Sequence, residues 1–456
     1  MSALISVTLP ESQKKKTMSD YKTCRTSLKG AAAGIALAPL HPLGEVMSKV
    51  EETKKEKQTE VRNHMDDLSN LPIGTVVGDP LPGSPELSAR GSVPTGSMRM
   101  SFIRRSVPDF RGGIKKPLPL SDRKLIFQAW YPVDADDPHM PIIYEDYMGR
   151  KDLDNLESYL FKGRAHLDGI PDPSAGKRPV VILSHGYPGS RMLLCNLAEN
   201  LSSKGYVVLS IDHTDNTYAD FIAECSKESA LVHRTMDQRA LLDELPVLND
   251  SGPLKGLLDL DRIALIGFSM GGYGALRTLG AGISPAVAAQ MLPIEAYVSE
   301  PDWHGDDRIK ASVLFAPATF LIDAEHLEDI TVPTMWLCGT MDRTVGYDAV
   351  HAAWKGAVNS RRTMISYIGC GHNVANNPAP PESLSRDWAI MKRWADPVWD
   401  TARLNTLNIH FITAFLNHTL LGQDSESYYA NPSRDKELPG FVPETDAGII
   451  VEHIPV

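Results

Sequence analysis

From Arg178 onward, short apolar runs alternate with longer helix-like stretches, and this alternation restricts the possible fold more than any other feature. Residues 180–183, 206–211, 262–268, 311–315, 334–338 and 363–368 have the length and apolar character of buried strands. Between them, residues 190–204, 232–248 and 347–358 read as helices, the first capped by Ser190 and ended by Gly205. Residues 404–421 close the pattern as a helix carrying Leu407, Ile409, Phe411, Ile412, Phe415 and Leu416. Strands that alternate with helices need a mostly parallel central sheet with helices on both faces. With no internal repeat, residues 76–456 read as a single α/β domain.

Before this region the pattern weakens. Residues 97–103 and 125–131 look like two strands forming an antiparallel edge that leads into the main sheet. Residues 138–177 lack a clean period and read as a long excursion, with a short helix near 153–161. Residues 1–75 carry the charge runs Lys14-Lys15-Lys16 and Lys54-Lys55-Glu56-Lys57 with poor apolar periodicity, as expected of a disordered leader. Inside it, Cys24-Arg25 to Lys29 followed by Ala31 to Ala38 has the basic, apolar and small-residue order of a signal segment. A start at Met18 implies export to the periplasm or beyond; otherwise the tail stays attached and the chain is cytoplasmic.

Composition removes several function classes. A net charge of −11 gives no footprint for nucleic acid, and no apolar run is long enough to span a membrane. The five cysteines are scattered and none has zinc-ligand spacing, so neither a metal nor a cofactor is expected.

The chemistry is carried by residues 262–272. The run Ile263 to Ile266 leads into Gly267-Phe268-Ser269-Met270-Gly271, a Gly-x-Ser-x-Gly pattern, and small residues continue as a helix. A serine on such a strand–turn–helix stands clear of the sheet as a nucleophile, with a helix N-terminus beneath it. It needs a base, and the base needs an orienting acid. Such groups gather at the carboxyl ends of strands. Just past residues 334–338 lies Asp342, and just past 363–368 lies Gly371-His372, giving the order Ser269, Asp342, His372. The oxyanion of acyl transfer needs two N–H donors. Met270 follows the nucleophile, and Tyr187 sits in the loop Ser184-His185-Gly186-Tyr187 after the first parallel strand. His185 is read as a local hydrogen-bonding group.

These residues resemble the α/β-hydrolases of the dienelactone-hydrolase and platelet-activating-factor-acetylhydrolase group over roughly residues 80–456. The similarity runs through Val180 to Gly186, Gly205 to His213, the serine turn and the histidine loop, and includes Ala129-Trp130-Tyr131-Pro132. The chain is also similar to bacterial cutinase-like polyester hydrolases, whose Tyr and Met oxyanion donors correspond to Tyr187 and Met270. The resemblance implies the α/β-hydrolase fold with loop insertions over the active site, and a serine esterase acting on small or polymeric esters without cofactor. A serine nucleophile departs from dienelactone hydrolases proper, which use cysteine. Phe315-Ala316-Pro317 offers no carboxylate where mammalian acetylhydrolases place their acid, which favours Asp342 and weakens a phospholipid substrate. The polyester-hydrolase likeness also implies a bridge between Cys338 and Cys370, against which stands the commoner buried free thiol.

For the substrate pocket the sequence offers Asp215 and Tyr218, which follow the strand at 206–211, and Trp303 in the insertion at 293–307. Trp388, Trp394 and Trp399 are either an aromatic lid or packing beneath loops. Two other functions remain open at this level: amide or C–C bond hydrolysis on the same triad, and a hydrolase fold kept as a binding module. Oligomeric state leaves no trace in the sequence.

Overall fold

In the computed structural model the chain enters its sheet through an antiparallel pair, β1 (Thr95–Pro108) and β2 (Leu120–Pro132). The structure describes residues 76–455 apart from 114–116, 284–287, 290–293, 299–302, 323, 381–382, 384–385, 387 and 431–436. The leader expected over residues 1–75, with its signal-like segment, lies outside the described residues. Next come β3 (Pro141–Met148) and β4 (Glu157–Leu167), an antiparallel hairpin, and then β5 (Arg178–Ser184). Helix α1 (Cys195–Ser203), β6 (Val207–Asp212), α2 (Ser226–Asp250), β7 (Leu258–Phe268) and α3 (Met270–Thr278) follow. The last third supplies β8 (Ile309–Phe315), β9 (Thr334–Gly339), α4 (Tyr347–Gly356), β10 (Arg362–Tyr367), α5 (Thr401–Leu421) and β11 (Ile449–Ile454).

These strands make one sheet in the order β11-β10-β9-β8-β7-β5-β6-β2-β1-β4-β3. From β10 to β6 every neighbour is parallel, because each crossover runs through a helix or a long loop. Both faces are covered, so β5, β9 and β10 are almost wholly buried. Trp130, Trp336, Tyr206 and Tyr273 are among the largest fully buried side chains, each contributing about 1.5–3 kcal/mol of hydrophobic stabilisation. Helix α5 starts where the Asp400 carboxylate accepts the Arg403 N–H at 2.9 Å, and ends at Gly422 with φ +66°.

Three local expectations are corrected. Residues 138–177 hold β3 and β4 with two 3₁₀ turns, Lys151–Leu153 and Pro173–Ala175, and residues 157–161 belong to β4 in place of the short helix. The inward positions of this hairpin include Asp146 and Gly163, which break the apolar alternation that would have revealed it. A Cβ on Gly163 would lie 2.2 Å from Glu199 Oε1 and 2.3 Å from the Tyr144 ring, so only glycine lets helix α1 approach. Hence β1 and β2 are not the sheet edge; β3 is. The helix expected from Ser190 begins at Cys195, because the Ser190 hydroxyl donates to the buried Asp146 carboxylate at 2.8 Å.

Candidate active site

Three loops at the carboxyl ends of β7, β9 and β10 meet at Ser269, Asp342 and His372. Ser269 lies between β7 and α3 with φ +54° and ψ −114°, a left-handed-side conformation that non-glycine residues rarely hold. Its flanking glycines are fixed by contact. A Cβ on Gly267 would fall 2.4 Å from the Gly271 carbonyl oxygen, and one on Gly271 would fall 2.0 Å from that of Ser184. His372 Nε2 is 3.0 Å from Ser269 Oγ, and its Nδ1 is 2.7 Å from Asp342 Oδ2. The other Asp342 oxygen accepts the N–H groups of Thr344 at 2.8 Å and Val345 at 3.2 Å. Burial works to raise the Asp342 pKa, but the bond to His372 and those backbone donors outweigh it, so the carboxyl stays below its ordinary value. The Phe268 ring lies 5.1 Å from the His372 ring and supports its orientation.

Cys338 and Cys370, for which the resemblance implied a bridge, are both free buried thiols. Each turns to a different carboxylate: Cys338 Sγ donates to Asp342 at 3.8 Å and Cys370 Sγ to Asp396 at 3.6 Å. Burial pushes both thiols up, so they act as weak donors.

The loop after β5 is held from behind. His213 N–H donates to His185 Nε2 at 3.1 Å, which places the His185 proton on Nδ1, and Nδ1–H donates to the Gly186 carbonyl at 2.7 Å. Arg234 of α2, fully buried, donates to the His185 carbonyl and, at 2.9 Å, to that of Gly186. Burial pushes its pKa down to about 9, which leaves it charged at neutral pH. The Gly186 carbonyl and the Tyr187 N–H belong to one peptide plane and point in opposite directions. Two donors on that carbonyl therefore aim the Tyr187 N–H, which meets no acceptor among the described residues, away from them. Met270 opens α3, so its N–H precedes the helical hydrogen-bond ladder. Arg234 belongs to no sequence motif, although it falls on the inward stripe Ala230, Arg234, Gln238, Leu241, Leu245 of α2.

A second serine–histidine–aspartate chain lies deeper. Ser184 Oγ is 2.8 Å from His213 Nε2, and His213 Nδ1 is 3.1 Å from Asp237 Oδ2, all fully buried. Arg104 and Arg123 pair with Asp237, so this chain is a closed structural network without access for a substrate.

A cavity of about 1120 Å³ opens over Ser269 and His372 and includes Tyr187, Tyr218 and Trp388 in its wall. Of the residues expected to bind substrate, only Tyr218 lines it. Asp215 instead pairs with Arg123 at 2.9 Å and sits at φ +67° in a turn whose carboxylate faces the protein. Trp303 lies elsewhere: its Nε1–H donates to the Arg277 carbonyl at 2.8 Å, and the guanidinium groups of Arg239 and Arg277 stack on its ring. Trp394 packs against Tyr159 and Tyr218, and Trp399 against Tyr367, as supports beneath the loops. No group of three or more His, Cys, Asp or Glu side chains among the described residues is placed to hold a metal ion, and no described helix is long and apolar enough to cross a membrane.

Comparison with known proteins places residues 169–407 within the sequence pattern described as PETase, PET hydrolase-like. Cutinase 1 of Thermobifida cellulosilytica is 28% identical over 221 residues, covering 47% of this chain and 68% of that protein. Cutinase 2 of the same organism is 32% identical over the same length, with the same coverage. Among solved structures, a ferulic acid esterase from Streptomyces cinnamoneus aligns with a TM-score of 0.49 and 21% identity, over 77% of this chain and 94% of its own.

Proposed function

Because the chain belongs to the PET hydrolase-like family and is a carboxylic ester hydrolase of the α/β-hydrolase fold, we propose that Ser269, His372 and Asp342 are its catalytic triad. The observation that carries this reading is the continuous contact from Ser269 Oγ through the imidazole to the Asp342 carboxylate, at 3.0 and 2.7 Å.

Ser269 Oγ attacks the ester carbonyl carbon while His372 Nε2 takes its proton. Asp342 holds the Nδ1–H tautomer and stabilises the imidazolium. The carbonyl oxygen becomes an oxyanion, held by the N–H groups of Tyr187 and Met270. Collapse of this intermediate breaks the C–O bond, and His372 returns its proton to the leaving alcohol. A water molecule, deprotonated by His372, then attacks the acyl-enzyme and releases the acid. The strained backbone of Ser269 keeps Oγ in the attack position before substrate arrives. The relatives are named cutinases, and the open cavity suits an ester segment of a longer polymer as well as a small ester.

The test is hydrolysis of p-nitrophenyl esters from acetyl to palmitoyl, with Ser269→Ala alongside. The expected result is turnover by the wild type and a loss of about 10⁴-fold or more in kcat in the variant. A folded Ser269→Ala protein that keeps the wild-type rate would contradict the assignment.

A further inference from the structure

We infer that the cavity over Ser269 carries an anion subsite, and that esters bearing a carboxylate near the scissile bond are its preferred substrates. This rests on the esterase reading above and adds a charge requirement to it.

Four cationic side chains line the cavity, Arg150, Arg343, Lys392 and Arg393, on a chain whose net charge is −11. Among the described residues the one carboxylate in the lining is Asp396, and its oxygens are already engaged. Oδ2 accepts the Gly371 N–H at 2.7 Å and Oδ1 the N–H groups of Val398 and Trp399 at 3.0 and 2.9 Å. Arg150 is paired with Asp152 at 2.6 Å. The other three cations have no ion pair among the described residues. Arg393 is the most telling, because its Nη1 is buried without an acceptor among the described residues, and burial and the neighbouring Arg150 lower its pKa. A partly buried guanidinium without a counter-charge is unfavourable, and an anion bound in the cavity beside it would offset that cost.

The position of this charge is also fixed relative to the chemistry. Asn373, next to His372, donates through Nδ2 to the carbonyls of Lys392 and Ala395, each at 2.8 Å. Asn376 donates to the Arg393 carbonyl at 2.7 Å. Two amides from the histidine loop thus pin the backbone that presents Lys392 and Arg393. A guanidinium there can donate two parallel hydrogen bonds to a carboxylate.

The experiment compares kcat/KM for matched pairs. The p-nitrophenyl monoester of glutaric acid is set against p-nitrophenyl pentanoate, placing the charge on the acyl side. The second pair, 4-acetoxy-3-nitrobenzoate and its methyl ester, places it on the alcohol side. In at least one pair the charged member is expected to be favoured by about tenfold, the size of one charge-assisted hydrogen bond. That ratio should fall toward one in Arg393→Gln, persist in part in Arg393→Lys, and shrink at about 0.5 M NaCl. Calorimetric titration with glutarate reads the same subsite without turnover, and binding should be lost in Arg393→Gln. If neutral esters are cleaved and neither charged ester is preferred, or if the preference and the glutarate binding survive Arg393→Gln, the subsite is refuted. Absence of turnover on every ester would instead refute the esterase reading, leaving the glutarate titration to decide the subsite.

Discussion

The Gly186–Tyr187 peptide links the buried polar network to the proposed oxyanion hole. Its carbonyl takes hydrogen bonds from His185 and Arg234, and its N–H is thereby directed to the opposite side. Arg234 is accordingly a positioning residue, acting on the transition state through a backbone plane and not by contact. Arg234→Met should lower kcat by about 10²-fold, as removal of an oxyanion donor does, with little change in KM. Arg234→Lys should restore part of the loss, since an ammonium can still donate to one of the two carbonyls. Steady-state kinetics on a short-chain ester, with urea unfolding run in parallel, would check this. Equal losses from Met and Lys, tracking stability alone, would assign Arg234 a purely structural role. The sequence shows Ser269, Asp342 and His372 because each follows a strand in a glycine-marked loop. It hides Arg234 because the partners of this side chain are mainly backbone carbonyls, which no residue pattern encodes.

At the level of elements, legibility follows burial. The parallel strands β5 to β8 carry runs of Val, Ile and Leu because both faces of the sheet are covered, β9 and β10 are short buried segments, and the positions of all six read from sequence to within a few residues at most ends. The hairpin β3–β4 is not written this way. Its inner face is built around Glu199 of α1, which accepts the Tyr144 hydroxyl at 2.6 Å and the Arg164 and Ala165 N–H groups at 3.0 and 3.2 Å. A strand held by a buried carboxylate has no need of alternating apolar residues. The edge strand β11 is equally faint, with a single buried position, Val451, among six. The cavity wall is hidden for another reason. Arg150, Arg343 and the Lys392-Arg393 pair come from three loops far apart in the chain, so their convergence exists only in the folded state.

For the molecule as a whole, the buried histidines set the response to acid. Burial, the largest cause in each, pushes His213, His233 and His410 down to about 3, and His185 is also held well below its ordinary value. Between about pH 3 and 6.5 the unfolded chain therefore binds protons that the folded chain refuses. The stability is fully present above the unfolded value and is lost as pH falls through this window. Asp146, pushed up to about 7 by burial, acts in the opposite sense, since the folded chain keeps its proton from about pH 4 to 7. Asp215 and Glu244, also raised by burial, act with Asp146, but the four histidines outweigh these carboxyls and leave a net loss. The thermal midpoint should drop by about 5 °C or more between pH 7 and 5.5. A flat or rising midpoint over that range would show that these histidines are not held neutral.

The most direct test of the central claim asks which serine reacts, because the fold contains two serine–histidine–aspartate chains. The protein is treated with a fluorophosphonate, its intact mass is measured and the labelled peptide is sequenced. The account predicts one adduct, on Ser269, blocked by Ser269→Ala and accompanied by loss of esterase activity. Label on Ser184, or an active folded enzyme that takes no label, would contradict it.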